Sequence, residues 1–503
     1  MLLAELTAGV VKAPAEIRIS DITLDSREVR PGALFLACQG ITRHGLEFAE
    51  QAITQGARAV LYEEGGTQHS PPLGSSEIFV AGVPQLGRHV GTIADRFFGS
   101  PSRDLRVIGV TGTNGKTTCA YLIAQAFALC GWPASYIGTL GHGTPGNLTP
   151  SSHTTSDAVS VHRWLAGMRD EGITCVSLEV SSHALDQSRV DGVRFNTAAF
   201  TNLTHDHLDY HGTMEAYGGA KSKLFARETL EVRVINVDDP FGEKLATQLA
   251  PGRLVVTSRA ETLVVPATDA FRATQYLQAV DVRSLPGALS IEIQSSWGPA
   301  TFSMPFIGEF NVDNVLTVLG VLLSANVSLS EAVKVLSQCS APPGRMEVIN
   351  GGADKVMAIV DYAHSPDALG KALRVTRAHC SGKLRVVFGC GGDRDGTKRP
   401  VMGKLAFELA DDVIVTDDNP RTESAEQIVA EILSGIPQRE AVQVEHDRAK
   451  AIRAALQRST AGDVVLIAGK GHEDYQIYGS QRRAFSDQAV VRAFFAGHGG
   501  AQA

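Results

Sequence analysis

Residues 105–118 read LRVIGVTGTNGKTT and are the most informative stretch of the 503-residue chain. The β-branched run 105–110 is typical of a short buried strand. Gly109, Gly112 and Gly115 allow the backbone to curl at the end of that strand, and a helical pattern over 115–130 follows at once. A strand, a glycine-rich turn and a helix in this order predict the beginning of an α/β domain.

The same turn is a candidate phosphate-binding loop. Its backbone N–H groups can converge on phosphate oxygens, and the N terminus of the next helix adds a favourable dipole. Lys116 would reach the β- and γ-phosphates, and the Thr117 hydroxyl would ligate Mg²⁺. The usual G-x-x-x-x-G-K-[ST] pattern has glycine where this chain has Val110, so an ordinary strand-to-helix turn is the alternative. Lys-Thr-Thr directly after the turn favours ATP binding.

Further apolar runs alternate with helical stretches along the rest of the chain. In the middle segment the runs are 173–180, 196–203 and 232–239, and helices are expected near 115–130 and 157–170. The last third repeats the pattern, with helices expected near 367–379, 424–434 and 447–457. We therefore predict a mostly parallel sheet in the middle and a second, Rossmann-like sheet at the end, with ligands beyond the carboxyl ends of the strands.

The length predicts about three domains. Polar, proline-containing breaks occur at 99–105 and 341–347, and residues 65–76 have the composition of a surface loop. We place the domains at 1–103, 104–340 and 341–503.

The composition excludes several classes of protein. The net charge of −8 gives no support to a non-specific nucleic-acid binder. No apolar run is long enough for a membrane span, and the first residues make a poor signal peptide. The seven cysteines are scattered without a CxxC pair, which argues against a disulfide framework or structural zinc and favours a reducing cytosol.

Two segments after the phosphate loop hold candidate metal ligands. Glu179 ends an apolar run, where a carboxylate is costly to bury unless it is paired or bound to a metal. Residues 201–212, TNLTHDHLDYHG, contain three histidines and two aspartates, and Lys221 follows. These groups beside a phosphate loop favour Mg²⁺, although oxygen donors suit that ion better than histidine and the residues alone leave the metal open. Most of them could instead be ordinary surface-loop residues.

The motifs TGTNGKTT, EVSSHAL, TNLTHDHLDYHG, GEFNVDN, PGRMEV and VDYAHSP occur in this order along the chain. Together they resemble the Mur ligases, the ATP-dependent amino-acid ligases of peptidoglycan precursor synthesis. The resemblance extends from about residue 20 to residue 490. It implies an N-terminal UDP-sugar-binding α/β domain, a central P-loop ATPase domain with a mostly parallel sheet and a C-terminal Rossmann-like domain. It is greatest with the members that extend UDP-N-acetylmuramoyl-L-alanyl-D-glutamate by its third amino acid.

The resemblance also implies sites, residue by residue. The catalytic set would be Lys116, Glu179, His207 and Lys221, with Lys221 carbamylated. Thr117, Glu179, His207 and the carbamate would hold two Mg²⁺ ions, while His205 and His211 would be ordinary loop residues. ATP would contact Gly112, Thr113, Asn114, Gly115, Lys116, Thr117, Thr118, Asn311, Asn314, Arg345 and Asp361. The UDP-sugar dipeptide would contact Leu24, Ser26, Thr42, Arg43, Thr154, Thr155, Ser181, Gln187 and Arg189.

The segment 417–423, DDNPRTE, is the one that indicates the incoming amino acid. It resembles the segment of members that use meso-diaminopimelate, whereas lysine-using members lack the arginine that stands here at Arg421. Diaminopimelate has a second carboxylate, to which a guanidinium can donate two parallel hydrogen bonds. The implied pocket consists of Arg394, Asp418, Asn419, Pro420, Arg421, Gly469 and Glu473. A surface salt bridge is the alternative for Arg421.

The resemblance implies amide formation through an acyl phosphate, in the cytoplasm, by a monomer whose partners are small substrates and neither nucleic acid nor membrane. The alternatives are a ligase that adds L-lysine, a folylpolyglutamate synthase-like ligase, and a nucleotide-dependent switch without ligase chemistry. The segments DNPR and LDSR, at 418–421 and 24–27, argue against the folate enzyme. Glu179, His207 and Lys221 together argue against the switch.

Overall fold

The computed structural model describes residues 1–40, 42–65, 70–71, 78–151, 153–248, 252–263, 271–285, 287–349 and 356–498. The chain forms two compact units, the first built mainly from residues 1–257 and the second mainly from residues 276–503. Most of the predicted loop 65–76 lies outside the described residues. No helix in the described ranges is both long and apolar enough to cross a lipid bilayer.

The first unit begins with a small sheet of four parallel strands in the order β1-β2-β3-β4. Its fully buried strand β2 has the sequence ALFLA and is apolar throughout, as a strand covered on both faces requires. The elements are α1 (Leu3–Leu6), β1 (Asp21–Thr23), β2 (Ala33–Ala37), α2 (Ala49–Thr54), β3 (Ala59–Glu63), β4 (Phe79–Val83) and α3 (Leu86–Phe97).

A larger sheet begins in the same unit, and its strands there are in the order β12-β11-β10-β5-β9-β6-β7-β8. The strands from β12 to β6 are parallel, and β7 and β8 continue the edge as an antiparallel hairpin. Its strands are β5 (Arg106–Thr111), β6 (Ala134–Gly138), β7 (Gly141–Thr144), β8 (Asn147–Thr149), β9 (Cys175–Glu179), β10 (Thr197–Phe200), β11 (Val232–Asn236) and β12 (Gly252–Ser258). Its helices are α4 (Lys116–Leu129), α5 (Ala158–Asp170), α6 (Ser182–Asp186), α7 (Leu208–His211), α8 (Met214–Phe225) and α9 (Pro240–Gln248).

The second unit contains most of an antiparallel meander of β13, β14 and β15, which the sequence did not indicate. Two helices follow it, and the first of them, α10, is buried over most of its length. The bounds are β13 (Phe271–Leu285), β14 (Ala288–Ser295), β15 (Ala300–Met304), α10 (Phe310–Ser324) and α11 (Leu329–Leu336).

The second unit also contains the Rossmann-like sheet, in the order β16-β17-β21-β18-β19-β20. All neighbours are parallel except β16, which pairs antiparallel with β17 at the edge. Its strands are β16 (Glu347–Ile349), β17 (Met357–Asp361), β18 (Leu384–Phe388), β19 (Asp412–Val415), β20 (Gln443–Val444) and β21 (Val464–Ala468), followed by the hairpin β22 (Tyr475–Tyr478) and β23 (Gln481–Ala484). Its helices are α12 (Pro366–Ala378), α13 (Lys398–Leu409), α14 (Ala425–Ser434), α15 (Arg448–Gln457) and α16 (Asp487–His498).

The helices and strands predicted from the sequence are confirmed to within a few residues. Helix α5 begins after Asp157, whose side chain accepts from the Ser160 N–H, and α15 begins after Asp447, which accepts from Lys450 in the same way. Such caps satisfy N–H groups that the helix itself cannot. The prediction of mostly parallel α/β sheets in the middle and at the end of the chain is therefore correct.

Candidate active site

The predicted phosphate loop joins β5 to α4. Gly115 is the N-cap of α4 and has φ of 83°, a left-handed conformation that favours glycine. A Cβ on Gly112, whose φ is 153°, would collide with the Thr201 hydroxyl. Val110, where the usual pattern has glycine, lies inside β5, in register with Glu179 on one side and Ala199 on the other.

Lys116 and Lys221 meet at one oxygen of this loop. The Lys116 ammonium donates to the carbonyls of Gly112 at 2.9 Å and Thr113 at 2.8 Å. Lys221, on α8, donates to the same Gly112 oxygen at 2.7 Å and lies 4.4 Å from the centre of the Tyr217 ring. The loop therefore holds two lysine amines close to the N terminus of α4.

Lys221 is an unusual lysine because its side chain is only 1% exposed. Burial, together with the neighbouring Lys116, lowers the pKa of Lys221 to about 6. Its amine is therefore mostly neutral at pH 7 and above. A neutral amine has the lone pair that adds to CO₂, whereas an ammonium does not.

Glu179 is the last residue of β9 and is completely buried. Its Oε2 accepts from the Thr117 hydroxyl at 2.9 Å and from the Thr139 hydroxyl at 3.2 Å. Its Oε1 accepts from the Thr139 N–H at 2.9 Å and from the Tyr136 hydroxyl. A buried carboxylate is tolerated only with partners of this kind. Tyr136 and Thr139, at the end of β6, were not predicted.

Thr117 and Glu179 suit a hard divalent cation. A hydroxyl and a carboxylate at the start of α4 are oxygen donors of the type that Mg²⁺ takes, with phosphate oxygens and water completing its shell. Within the described ranges, no three His, Cys, Asp or Glu side chains are grouped so as to hold a metal ion by themselves. This donor set fits an ion that is bound together with a nucleotide.

Two of the three predicted histidines, His207 and His211, belong to a cluster of rings with two tyrosines. His207 has φ of 53° and precedes α7, and its ring lies 4.9 Å from that of His183, which was not predicted. His211 lies 5.4 Å from His183 and contacts the Ser182 hydroxyl at 3.0 Å. Burial, and then His207 and His211, lower the pKa of His183. His205 is exposed, as expected of a loop residue.

Tyr217 connects this cluster to the phosphate loop. Its hydroxyl lies 3.1 Å from that of Thr113, and its ring lies 5.1 Å from His211 and 6.0 Å from His207. Because Lys221 also packs against this ring, one side chain of α8 contacts the phosphate loop, the buried lysine and the histidines. No pattern in the sequence identified it.

The residues predicted to contact the dipeptide lie next to Glu179. The Thr155 hydroxyl donates to the Glu179 carbonyl at 2.8 Å and accepts from the Ser181 N–H at 3.1 Å. The Thr154 hydroxyl accepts from that of Thr139 at 3.1 Å. Arg189 donates to the Thr155 carbonyl at 3.0 Å and to Gln187 at 2.6 Å. Candidate substrate and metal residues therefore share one hydrogen-bond network.

The predicted uridine residues lie on the small sheet. The Ser26 hydroxyl is buried and donates to Gln51 at 3.0 Å, and Leu24 packs against the core of this sheet. Arg43 is exposed, lies over the Phe48 ring at 4.4 Å and pairs with Glu47, while its neighbour Thr42 is exposed.

In the second unit, the predicted ATP residues form two groups. Asn311 and Asn314 are buried in the first turns of α10, where Asn314 donates to Asn311 at 2.9 Å. Arg345 lies over the Tyr362 ring at 5.0 Å, and the Asp361 carboxylate, at the end of β17, accepts from the Met346 N–H at 2.8 Å.

The residues of the predicted amino-acid pocket lie at the carboxyl ends of three adjacent strands, β21, β18 and β19. The Asn419 amide donates to Glu473 at 2.8 Å, and a Cβ on Gly469 would lie 2.6 Å from an oxygen of Asp418. Lys470, completely buried and not predicted, donates to Asn419 at 3.1 Å and to Glu473 at 3.0 Å. Both bonds to Glu473 go to Oε2.

The two arginines of the pocket flank Gly391. Arg421 follows Pro420 with φ of 55° and donates to the Gly392 carbonyl at 2.7 Å. Its backbone is held by the β22–β23 hairpin, through a bond to Ile477 at 3.0 Å and one from Gly479 at 2.7 Å. A Cβ on Gly391 would lie 2.9 Å from Arg421 Nη1 and 4.0 Å from Arg394 Cγ. Both arginine side chains therefore pass close to Gly391, and a guanidinium is the group that binds a carboxylate bidentately.

Three successive segments of the chain match family models. Residues 18–89 match the Mur ligase family, catalytic domain; residues 110–322 match the Mur ligase middle domain; and residues 344–471 match the Mur ligase, glutamate ligase domain.

Relatives and solved structures agree with these matches. The chain is 45% identical over 475 residues, 94% of each chain, to the UDP-N-acetylmuramoyl-L-alanyl-D-glutamate–2,6-diaminopimelate ligase of Ectopseudomonas mendocina. It is 43% identical to the Pseudomonas aeruginosa protein of the same name, over 95% of each chain. A solved structure of a ligase of this name has a TM-score of 0.70 at 36% identity, over 99% of each chain. A folylpolyglutamate synthase of Mycobacterium tuberculosis shares only the fold, with a TM-score of 0.58 at 17% identity over 76% of this chain and 92% of that chain.

Proposed function

Because the chain belongs to the Mur ligase family, we propose that it joins meso-2,6-diaminopimelate to the D-glutamate γ-carboxylate of UDP-N-acetylmuramoyl-L-alanyl-D-glutamate, with cleavage of ATP to ADP and phosphate. The fold is the three-domain α/β fold of that family, as the sequence predicted. We keep the domain boundaries at 103 and 340 as part of the proposal. The matched segments 18–89, 110–322 and 344–471 support them, although residues 276–340 group with the second compact unit.

One observation carries the proposed chemistry. The Thr155 hydroxyl bonds to the Glu179 carbonyl and accepts from Ser181, while the Glu179 carboxylate accepts from Thr117 of the phosphate loop. Residues suited to an acceptor carboxylate and residues suited to nucleotide phosphate thus lie in one network. A ligase that activates a carboxylate with ATP requires this proximity.

We propose that the reaction passes through an acyl phosphate. The substrate γ-carboxylate attacks the γ-phosphorus of ATP, and ADP leaves. The amine of diaminopimelate then attacks the acyl carbon, and phosphate leaves as the amine loses a proton. The loop N–H groups and Lys116 stabilise the charge on the transferred phosphoryl group, and no protein nucleophile is required.

The metal site is also a proposal. Thr117, Glu179, His207 and a carbamate on Lys221 would hold two Mg²⁺ ions, which when bound neutralise charge on the phosphate oxygens. Carbamylation converts the buried amine of Lys221 into an anionic oxygen donor. The low pKa of the unmodified Lys221 amine supports this modification. His207 and Lys221 both pack around Tyr217.

Arg421 and Arg394 support diaminopimelate as the amino acid, because they flank Gly391 at the pocket and lysine has no second carboxylate for them. Glu473 is a candidate acceptor for the distal ammonium of diaminopimelate. Asn419 and Lys470 both donate to its Oε2, and we propose that its Oε1 accepts from the substrate. We further propose that the protein acts as a cytoplasmic monomer on small-molecule substrates.

An amino-acid panel tests the function directly. The purified protein is incubated with ATP, the UDP-linked dipeptide and one amino acid at a time, and products are identified by mass. We expect the meso-diaminopimelate product to predominate over the L-lysine product. A panel in which lysine is preferred, or in which only a folate acceptor supports phosphate release, would contradict the proposal.

A further inference from the structure

Arg399, the second residue of α13, is 2% exposed and has no place in the reaction described above. Its Nη1 donates to Glu423 and to Glu431, each at 2.8 Å. Its Nη2 donates to Glu423 at 2.9 Å and to the Gly391 carbonyl at 3.2 Å. One guanidinium therefore connects the loop after β18 with the segment after β19.

Glu423 extends this connection to Asp393, the residue before Arg394 in the loop after β18. Its Oε1 accepts from the Asp393 N–H. The Asp393 carboxylate accepts in turn from the Thr422 hydroxyl at 2.6 Å and from its N–H at 3.2 Å. Asp393 has φ of 54°, so the loop turns sharply immediately before Arg394. The turn that directs Arg394 is thus held by the segment that contains Arg421.

The two loops also touch through their backbones. The Gly392 N–H donates to the Asn419 carbonyl at 2.9 Å, and the Gly392 carbonyl accepts from Arg421. A Cβ on Gly392 would collide with the Pro420 carbonyl. At so close a contact, we expect a change in the Arg399 anchor to shift Arg394 and Arg421 relative to each other.

We propose that Arg399 is a positioning residue that sets the spacing of Arg394 and Arg421, and through it the affinity for the second carboxylate of the amino-acid substrate. This inference rests on the proposed function. Arg399 does not contact the pocket itself but acts through Glu423 and Gly391. Lysine cannot replace it, because a single ammonium lacks the planar fork that reaches both carboxylate oxygens and the carbonyl at once.

A purely structural ion pair would behave differently, and the same sheet provides one. Arg385 is 7% exposed and donates to Asp463 at 2.7 Å, at the opposite end of β18 from the pocket. Arg385→Lys is therefore a matched control for Arg399→Lys. Both replace a buried, carboxylate-bound guanidinium by an ammonium.

The experiment measures KM for each of the three substrates, kcat and melting temperature for the wild type, Arg399→Lys and Arg385→Lys. Arg399→Lys should raise the KM for diaminopimelate by about tenfold or more while the other two KM values stay unchanged, since a small displacement in a binding site is costly. The preference for diaminopimelate over L-lysine should fall in parallel. Arg385→Lys should lower the melting temperature alone.

Glu423→Gln covers the case in which Arg399→Lys does not fold. It removes the carboxylate that accepts from Arg399 and should give the same selective rise in KM. If the wild type uses diaminopimelate and the variants change only melting temperature, as the control does, the inference is overturned and the proposed function stands. A wild type that does not use diaminopimelate overturns the proposed function, and the inference with it.

Discussion

The carbonyl oxygen of Gly112 accepts hydrogen bonds from two lysines, Lys116 and Lys221. Burial, and then the charge of the neighbouring Lys116, lower the pKa of Lys221 to about 6, so Lys221 gives up its proton. The same residue is thus held close to the phosphate loop and kept in the form that reacts with CO₂. The burial of Lys221 therefore accounts both for its hydrogen bond to the Gly112 carbonyl and for the reactivity of its neutral amine.

Lys221→Ala should lose most of the ligase activity, because it removes the amine that we propose is carbamylated. Short carboxylates added to the assay should restore part of it by supplying the missing anionic oxygens. The measurement is product formation with and without formate or acetate. Lys223→Ala is the matched control on the same helix, since that lysine is half exposed and pairs with Asp186 at 2.8 Å. Full activity of Lys221→Ala without any added carboxylate would refute the carbamate.

At the scale of single elements, Asp463 joins the beginnings of two neighbouring strands. It stands directly before β21 and accepts from the N–H groups of Lys383 at 2.7 Å and Thr460 at 3.0 Å, and from Arg385 at 2.7 Å. Burial opposes ionisation, but these three donors outweigh it and lower the pKa of Asp463 to about 2. The carboxylate therefore fixes the end of the sheet that lies away from the proposed pocket.

Asp463→Asn should lose stability in a pH-dependent way. Because the folded-state pKa lies below the ordinary value of 3.8, the contribution is fully present above about pH 4 and is lost as the pH falls through about 2. This lowering of the Asp463 pKa corresponds to about 2 kcal/mol in the free energy of unfolding. Urea unfolding of the wild type and of Asp463→Asn at pH 7 and pH 3 measures this contribution. The difference in free energy of unfolding between the two proteins should be smaller at pH 3. Asp367→Asn, at an exposed pair with Lys371, should show no such change.

The elements themselves were largely predictable from the sequence, because local signals specify them. The strand–turn–helix around Gly115 and the caps Asp157 and Asp447 each depend on residues a few positions apart. The partners of Glu179 were not predictable in this way. Tyr136 and Thr139 lie about 40 residues away in the chain, and only the parallel pairing of β6 with β9 brings them to the carboxylate.

The same reason explains what was missed in the second unit. Lys470 and Arg399 carry no signature of their own, since buried basic residues cannot be distinguished from exposed ones by their neighbours in the sequence. Their importance depends on the strand order β21-β18-β19, which places the loops after β18 and β19 and the glycine turn after β21 side by side. The resemblance to a family predicts the ligand-binding residues, and the sheet topology shows which other residues bond to them.

At the scale of the whole molecule, the net charge of −8 contrasts with the substrates that we propose, two of which are polyanions. A negative chain gives no general electrostatic attraction for such ligands. The cations that we propose face them are local: Lys116 in the phosphate loop, and Arg394 and Arg421 in the predicted amino-acid pocket. If the proposed function is correct, these individual groups, and no general surface charge, would account for the binding of the anionic substrates.

The proposed mechanism makes a prediction about where atoms go in the complete reaction. If the γ-carboxylate of the dipeptide attacks ATP, one of its oxygens becomes the bridge of the acyl phosphate. When the amine of diaminopimelate attacks the acyl carbon, the bond from carbon to that oxygen breaks, and the oxygen leaves in the phosphate. A dipeptide labelled with oxygen-18 in this carboxylate should therefore transfer label to inorganic phosphate as the amide forms.

Mass analysis of the phosphate measures the transfer, with the amide product quantified in the same samples. Labelled phosphate should accumulate in step with the amide product when all three substrates are present. Omitting the dipeptide should leave phosphate release at background, because Lys116 and the loop amides then have no acceptor carboxylate beside the γ-phosphate. Unlabelled phosphate formed at the same rate with and without the dipeptide would mean that water is the acceptor, and the protein would then be a nucleotide-dependent switch instead of a ligase.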